Sequence, residues 1–232
     1  ATPIDYHLSC LHQVIDTLPT VTSILIEKPL FNPNDPDDAI RLNVLDTNVK
    51  LCVGFNWRFH PLIRFIKQEI YDGRFGEIQY ASLVAREWVP KIAARAWLES
   101  GSHILDMARC LFCDHTEYKT CYWVDPPVTN LNDDVSKAQF VSGLLNICGQ
   151  TIVINMESLT TGFVAHIHVN CCNVDEYDYR IVIQGSKRTG TYQVPPDSNM
   201  HFREMQSFLG DQQGLATLQD GIDNMELLRA GL

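Results

Sequence analysis

The chain has 232 residues, 45% of them hydrophobic and 20% charged, with a formal net charge of -10. That is enough for one large domain or two small ones with real cores. The acidic balance, without clustered Lys and Arg, excludes a nucleic-acid footprint. No apolar run approaches the roughly 20 residues of a membrane span, and the N-terminus lacks the pattern of a signal peptide, so a soluble cytoplasmic protein is expected.

The elements alternate from the start. Leu8, Leu11, Val14, Ile15 and Leu18 recur at helical spacing through 7–18, which predicts an amphipathic helix. Ile24-Leu25-Ile26 reads as a buried strand that ends at Glu27-Lys28-Pro29, because proline cannot continue a central ladder. Asn34 to Asp38 offers N-cap chemistry for a helix using Ile40, Val44 and Leu45, and the run 50–55 reads as a second buried strand. Helix, strand, helix, strand is the tail of a doubly wound α/β domain. In such sheets ligands bind beyond the carboxyl ends of the strands. A lysine at that place, Lys28, is therefore a candidate for chemistry, with an ordinary solvated Glu27/Lys28 pair as the plainer alternative.

After Pro61, the segment 62–71 reads as a helix stopped by Asp72-Gly73. From Glu77 the character changes. The runs 77–89, 117–124, 138–147, 151–157, 163–170 and 177–184 alternate or are rich in β-formers between turn residues. They predict a mostly antiparallel open sheet of about six strands in an α+β domain. A helix is expected over 103–112, and one or two closing helices over 202–228. The fold class is thus the remnant of a doubly wound domain over 1–58, followed by an open-sheet domain over 59–232.

Eight cysteines are scattered through apolar runs of a chain too large to be a disulfide-stapled domain, and they read as reduced. Cys110 and Cys113, with His115, have the spacing of a zinc or thiol-exchange motif. Cys171-Cys172 and the alternating His166 and His168 supply no matching second pair, so no metal is expected.

Four separated signatures line up in order: Ala1-Thr2-Pro3 with His7, Glu27-Lys28-Pro29, Asn56-Trp57-Arg58-Phe59-His60-Pro61, and Glu99-Ser100-Gly101-Ser102-His103-Ile104-Leu105-Asp106. With Asp72-Gly73-Arg74-Phe75-Gly76 and the closing Asp220-Gly221, they resemble the Gfo/Idh/MocA family of glucose-fructose oxidoreductase and inositol dehydrogenase. The resemblance implies an NAD- or NADP-dependent oxidoreductase acting by hydride transfer on a sugar, cyclitol or related hydroxy compound. It implies Lys28 as the residue that orients the substrate hydroxyl and moves its proton, and His103 as the acid-base or substrate-binding histidine. Glu99 stands where the family commonly has aspartate. It also implies Pro3, His7, Glu27, Lys28 and Pro29 beside the cofactor, Trp57, Arg58 and Arg95 beside the substrate, and a homo-dimer or tetramer built through the open sheet. Asp106 is expected to be a structural partner. Trp88, Trp97 and Arg86 add aromatic and basic groups without naming a substrate.

The chemistry suits these residue types. Hydride leaves a carbinol carbon as the hydroxyl proton departs, so a base titrating near neutrality must sit against that oxygen. A lysine beside a low-dielectric surface can reach that range, and a histidine starts there.

The chain lacks a Gly-x-Gly-x-x-Gly turn after a strand. The expectation is that roughly three βα units, about 90 residues at about 30 each, lie outside it. The chain alone is then expected to bind a dinucleotide weakly, if at all, and to be inactive. Three readings stay open: a fragment of a full oxidoreductase, favoured by the missing initiating Met and the early end; a cofactor-free binding or assembly module of the same ancestry; and a metal-dependent hydrolase using His166 and His168. The two-strand remnant exposes an edge and an apolar face, which the second domain or another subunit is expected to cover.

Overall fold

The computed structural model describes residues 3–32, 48–86, 101–112, 118–124, 150–158, 164–171 and 178–230, with side chains over 3–32, 48–85, 101–112 and 178–228. The chain divides into two compact units, 1–60 with 198–230, and 61–197. The expected boundary was 58/59 with the whole tail in the second domain. The break falls instead between His60 and Pro61, and the tail belongs with the first unit.

The first unit opens with a 3-10 turn (Ile4–Tyr6) and helix α1 (His7–Thr17), whose buried residues are His7, Leu8 and Leu11. Strands β1 (Ser23–Glu27) and β2 (Lys50–Gly54) pair in parallel, Glu27 opposite Gly54. A 3-10 turn (Asn56–Phe59) follows with all four residues buried. The tail contributes α4 (Met200–Leu209), β9 (Ala216–Thr217) and α5 (Leu218–Ala230).

The tail returns to this unit for two physical reasons. β9 extends the sheet as an antiparallel strand on β2, giving the order β1-β2-β9. Helix α5 packs on β2 and β9, while α4 packs on the 56–59 turn. Cys52, Phe59 and Leu215 form a buried cluster with Leu25 and Phe208 packed against it. A Cβ at Gly221 would lie 2.7 Å from Val53 Cγ2 and 3.0 Å from Leu30 Cδ2, so only glycine lets α5 approach this closely.

The second unit begins with α2 (Pro61–Tyr71), which buries Ile63 and Ile66. Strands β3 (Ile78–Arg86), β7 (Asp178–Gly185) and β8 (Thr189–Val194) form one antiparallel ladder in the order β3-β7-β8. Strands β4 (Tyr118–Val124), β5 (Gln150–Ser158) and β6 (Val164–Cys171) form a second. β3 runs close along β6, which joins the ladders into a layer of six described strands.

Register explains the buried face of this layer. Ala81, Leu83 and Ala85 stand opposite Ile183, Ile181 and Tyr179, and all six are buried. Tyr80, Ser82, Val84, Arg180, Val182 and Gln184 alternate with them and are half-buried or exposed. Helix α3 (Ser102–Phe112) packs on β3 and β6.

Strand β8 was not expected from sequence, since Thr189-Gly190-Thr191-Tyr192 interrupts the apolar alternation with a glycine. It forms because the turn after Gly185 folds it back on β7, with the Gly185 amide donating to the Arg188 carbonyl at 2.9 Å. The expected strand over 138–147 and the helix using Ile40, Val44 and Leu45 lie outside the described residues.

Candidate active site

In the first unit the site residues gather at the carboxyl ends of the parallel strands. Glu27 closes β1 and is exposed, Lys28 is half-buried, and Pro29 is buried behind a cis Lys28–Pro29 peptide. Below them His7, 6% exposed at the start of α1, lies with Nδ1 2.8 Å from the Pro29 carbonyl oxygen. A carbonyl only accepts, so Nδ1 is the donor, and the bond anchors the turn that carries Lys28 to the helix before it. Asn32 Nδ2 donates to Asp5 Oδ1 at 2.8 Å, a second tie between the same segments. Pro3 is exposed.

The 56–59 turn leaves the end of β2 and is held from behind. Arg58 and Asp220 form an ion pair at 3.3 Å with side chains 6% and 4% exposed. Asp220 Oδ2 also accepts from the Thr217 amide at 2.8 Å and from Thr217 Oγ1 at 3.0 Å, while the Asp220 amide donates back to Thr217 Oγ1 at 3.1 Å. That exchange is a capping box for α5. Two signatures 162 positions apart, around Arg58 and Asp220, therefore meet as one buried network. Trp57 is 4% exposed and stacks on His60, ring centroids 5.8 Å apart and planes at 16°. Asn56 Nδ2 lies 3.0 Å from His201 Nε2, and Arg203 donates to the Phe59 carbonyl at 3.3 Å. Sequence reasoning missed Asp220 as the partner of Arg58; a buried arginine needs a carboxylate, and the Asp220-Gly221 motif was the available signal.

In the second unit His103 is the second residue of α3. Ser102 and Ile104 through Leu111 are buried, whereas His103 keeps part of its surface accessible. Asp106, one turn on, is fully buried, the setting of a structural rather than a reacting carboxylate. Glu99, Arg95, Trp88 and Trp97 lie outside the described residues, as does the side chain of Arg86. The side chains of His166 and His168 are likewise outside. Among the described residues no group of His, Cys, Asp and Glu could hold a metal ion, and no helix is long and apolar enough to cross a membrane. Cys10, Cys52 and Cys110 are in no disulfide, and Lys67 Nζ donates to the Cys110 sulfur at 3.6 Å. Burial pushes the Cys52 thiol above the ordinary thiol range, against a smaller opposing pull from Lys50.

No family model matches the chain. A curated relative, inositol 2-dehydrogenase of Rhizobium meliloti (strain 1021), is 27% identical over 197 residues, which is 80% of this chain and 53% of the relative. The chain thus spans about half the length of the curated relative it matches. Among solved structures, a myo-inositol dehydrogenase from Corynebacterium glutamicum superposes with a TM-score of 0.71 at 17% identity, covering 100% of this chain and 75% of that one. A scyllo-inositol dehydrogenase from Lactobacillus casei, solved with NAD(H) and scyllo-inositol, gives 0.68 at 17% identity, covering 99% and 75%. The chain is thus similar to inositol dehydrogenases in sequence and in fold. Its fold is the Rossmann-type dehydrogenase fold of these neighbours.

Proposed function

We propose that this chain carries the substrate-side half of an NAD-dependent oxidoreductase that oxidises a hydroxyl of a cyclitol such as an inositol. The observation that supports this most is Lys28, set at the carboxyl end of a parallel strand in a chain 27% identical to an inositol 2-dehydrogenase. That is where an open α/β sheet presents groups to a ligand.

The residues at these strand ends suit the nicotinamide end of a dinucleotide, because Glu27, Lys28 and Pro29 follow β1 with His7 fixing the turn, and Pro3 is proposed beside them. The sequence holds no glycine-rich turn for the pyrophosphate. A nicotinamide dinucleotide held beside these residues would supply the hydride acceptor for the carbinol carbon. Lys28 orients the substrate hydroxyl and receives its proton. His103, part of whose surface stays accessible on an otherwise buried helix stretch, is the second unit's candidate acid-base residue, with Glu99 four positions before it in sequence as its candidate carboxylate. Arg95 contacts substrate hydroxyls. Arg58 and Trp57 act from inside the first unit, holding the 56–59 turn through Asp220 and His60. The half-buried outer face of the second unit's sheet supports assembly into a homo-dimer or tetramer.

The test is NAD⁺ reduction with myo-inositol, scyllo-inositol and aldoses by the longest polypeptide of the chain's own reading frame. Cyclitol-dependent NADH formation is expected, and its absence with every cyclitol would overturn the reading. The 232-residue chain by itself is expected to show no saturable NADH fluorescence titration. A second reading, a cofactor-free binding or assembly module, is favoured by the missing glycine-rich turn. A reading frame that starts directly upstream of Ala1 would support it.

A further inference from the structure

Lys28 lies one residue beyond the last rung of the parallel ladder, where Glu27 of β1 stands opposite Gly54 of β2. The chain on its other side is held as well. The Pro29 carbonyl oxygen accepts from His7 Nδ1 at 2.8 Å, and Asn32 Nδ2 donates to Asp5 Oδ1 at 2.8 Å. Between these two ties Leu30 and Phe31 are buried, and Leu30 Cδ2 lies 3.0 Å from where a Cβ on Gly221 would stand. The backbone of Lys28 is thus fixed within one residue on both sides, which leaves the place of its ammonium to the side-chain torsions. His7 is itself rigidly mounted, because it opens α1, whose Leu8 and Leu11 are buried.

The resemblance places His7 beside the cofactor, but its geometry suits another task. The ring is buried, and one of its nitrogens is committed to a main-chain oxygen, so it transmits position to the turn. Removing that donor takes a hydrogen bond from a buried residue and lets the turn relax with Lys28 on it. A displacement of about 1 Å at a reacting group can cost about 100-fold in rate. We infer that His7 is a positioning residue for Lys28, acting through the Pro29 carbonyl, with the Asp5–Asn32 bond as a second strap on the same turn. The inference rests on the reading of Lys28 as the group that receives the substrate proton.

Two measurements on the longest polypeptide of this reading frame test it, one with substrate and one without. In NAD⁺ reduction with myo-inositol, His7→Leu should lower kcat about tenfold or more, leave KM for NAD⁺ within about twofold and displace the pH profile. His7→Asn, whose amide nitrogen takes the place of Nδ1, should restore kcat to within about threefold of the parent. Because His7→Leu could also loosen the fold, Asp5→Ala at an exposed position is the second variant. Its kcat should fall about threefold, whereas Asp5→Asn, which keeps the accepting oxygen, should match the parent. Without substrate, reductive ¹³C-methylation gives Lys28 an NMR resonance, assigned by its loss in Lys28→Arg. Its chemical shift should move in His7→Leu and return in His7→Asn. If the parent oxidises no cyclitol, the enzyme reading fails and the resonance alone decides the role of His7. A Lys28 resonance identical in the parent and His7→Leu would overturn the inference. So would a raised KM for NAD⁺ at unchanged kcat, the mark of a residue that touches the cofactor, or a His7→Asn variant as impaired as His7→Leu. An unchanged kcat in Asp5→Ala would overturn the part assigned to Asp5.

Discussion

Removing the carboxylate of Asp220 is the sharpest probe of how the 56–59 turn is held. Arg58 and Asp220 are 3.3 Å apart and almost fully buried. At an effective dielectric of about 20 the attraction at that distance is about 5 kcal/mol, most of which offsets the desolvation of the two ions. The intact pair therefore contributes little net stability, but breaking it strands a buried guanidinium. Asp220→Asn keeps an oxygen for the Thr217 amide and removes only the charge, so the expected loss is about 3–5 kcal/mol. Against a typical domain stability of about 5–15 kcal/mol this is a large fraction. Arg58→Met combined with Asp220→Asn should recover part of it, because the uncompensated charge is gone. With two compact units, a single urea transition is not guaranteed. The measurement is therefore native-state hydrogen exchange at the Cys52 and Val53 amides of β2, alongside urea unfolding. A loss below about 1 kcal/mol for Asp220→Asn, or a double variant as unstable as the single, would refute the buried-pair reasoning.

Three further outcomes follow. Gly221→Ala drives a methyl group against Val53 and Leu30, and overpacking of that kind should cost about 1–3 kcal/mol in urea unfolding; a neutral result would show that α5 can shift away from β2. The Tyr192 hydroxyl is held above the usual phenol range by burial, with Glu69 adding to the rise and Arg188 opposing it. The folded state therefore keeps this proton longer than the unfolded chain. The stability it supplies is complete below the ordinary tyrosine pKa and is lost as pH climbs through the raised one. Comparing alkaline unfolding of the parent with Tyr192→Phe tests the sign: the variant should lose less stability above about pH 10. Cys52, 1% exposed with a raised pKa, should be alkylated by iodoacetamide far more slowly than half-buried Cys10 in the native protein; equal rates would contradict the packing of β2.

Much of the fold was legible because the apolar spacing was strong. Leu8 and Leu11 set α1, and Ile63 and Ile66 set α2, within a residue or so of the ends found. The parallel β1/β2 pair followed from two short apolar runs separated by a helix-length segment. What escaped depended on distant partners. β8 needs the Gly185 turn and a neighbour in β7, and two-residue β9 exists only because β2 offers an edge. The tail joins the first unit because Gly221 and Asp220 fit against β2 and Arg58, a relation across more than a hundred positions that no local window carries. In the candidate site, Lys28 was readable from its strand-end position. That Arg58 faces Asp220 inside the unit was not, because a charged residue in a sequence gives no sign of its burial.

The most direct measurement is steady-state NAD⁺ reduction with myo-inositol by the longest polypeptide of this reading frame, for the parent, Lys28→Ala and His103→Ala. If the lysine and the histidine move the substrate proton, each substitution should lower kcat by about 100-fold or more, with a smaller change in KM and a displaced pH profile. Undiminished kcat in both variants, with the parent active on the same cyclitol, would contradict the roles assigned to them.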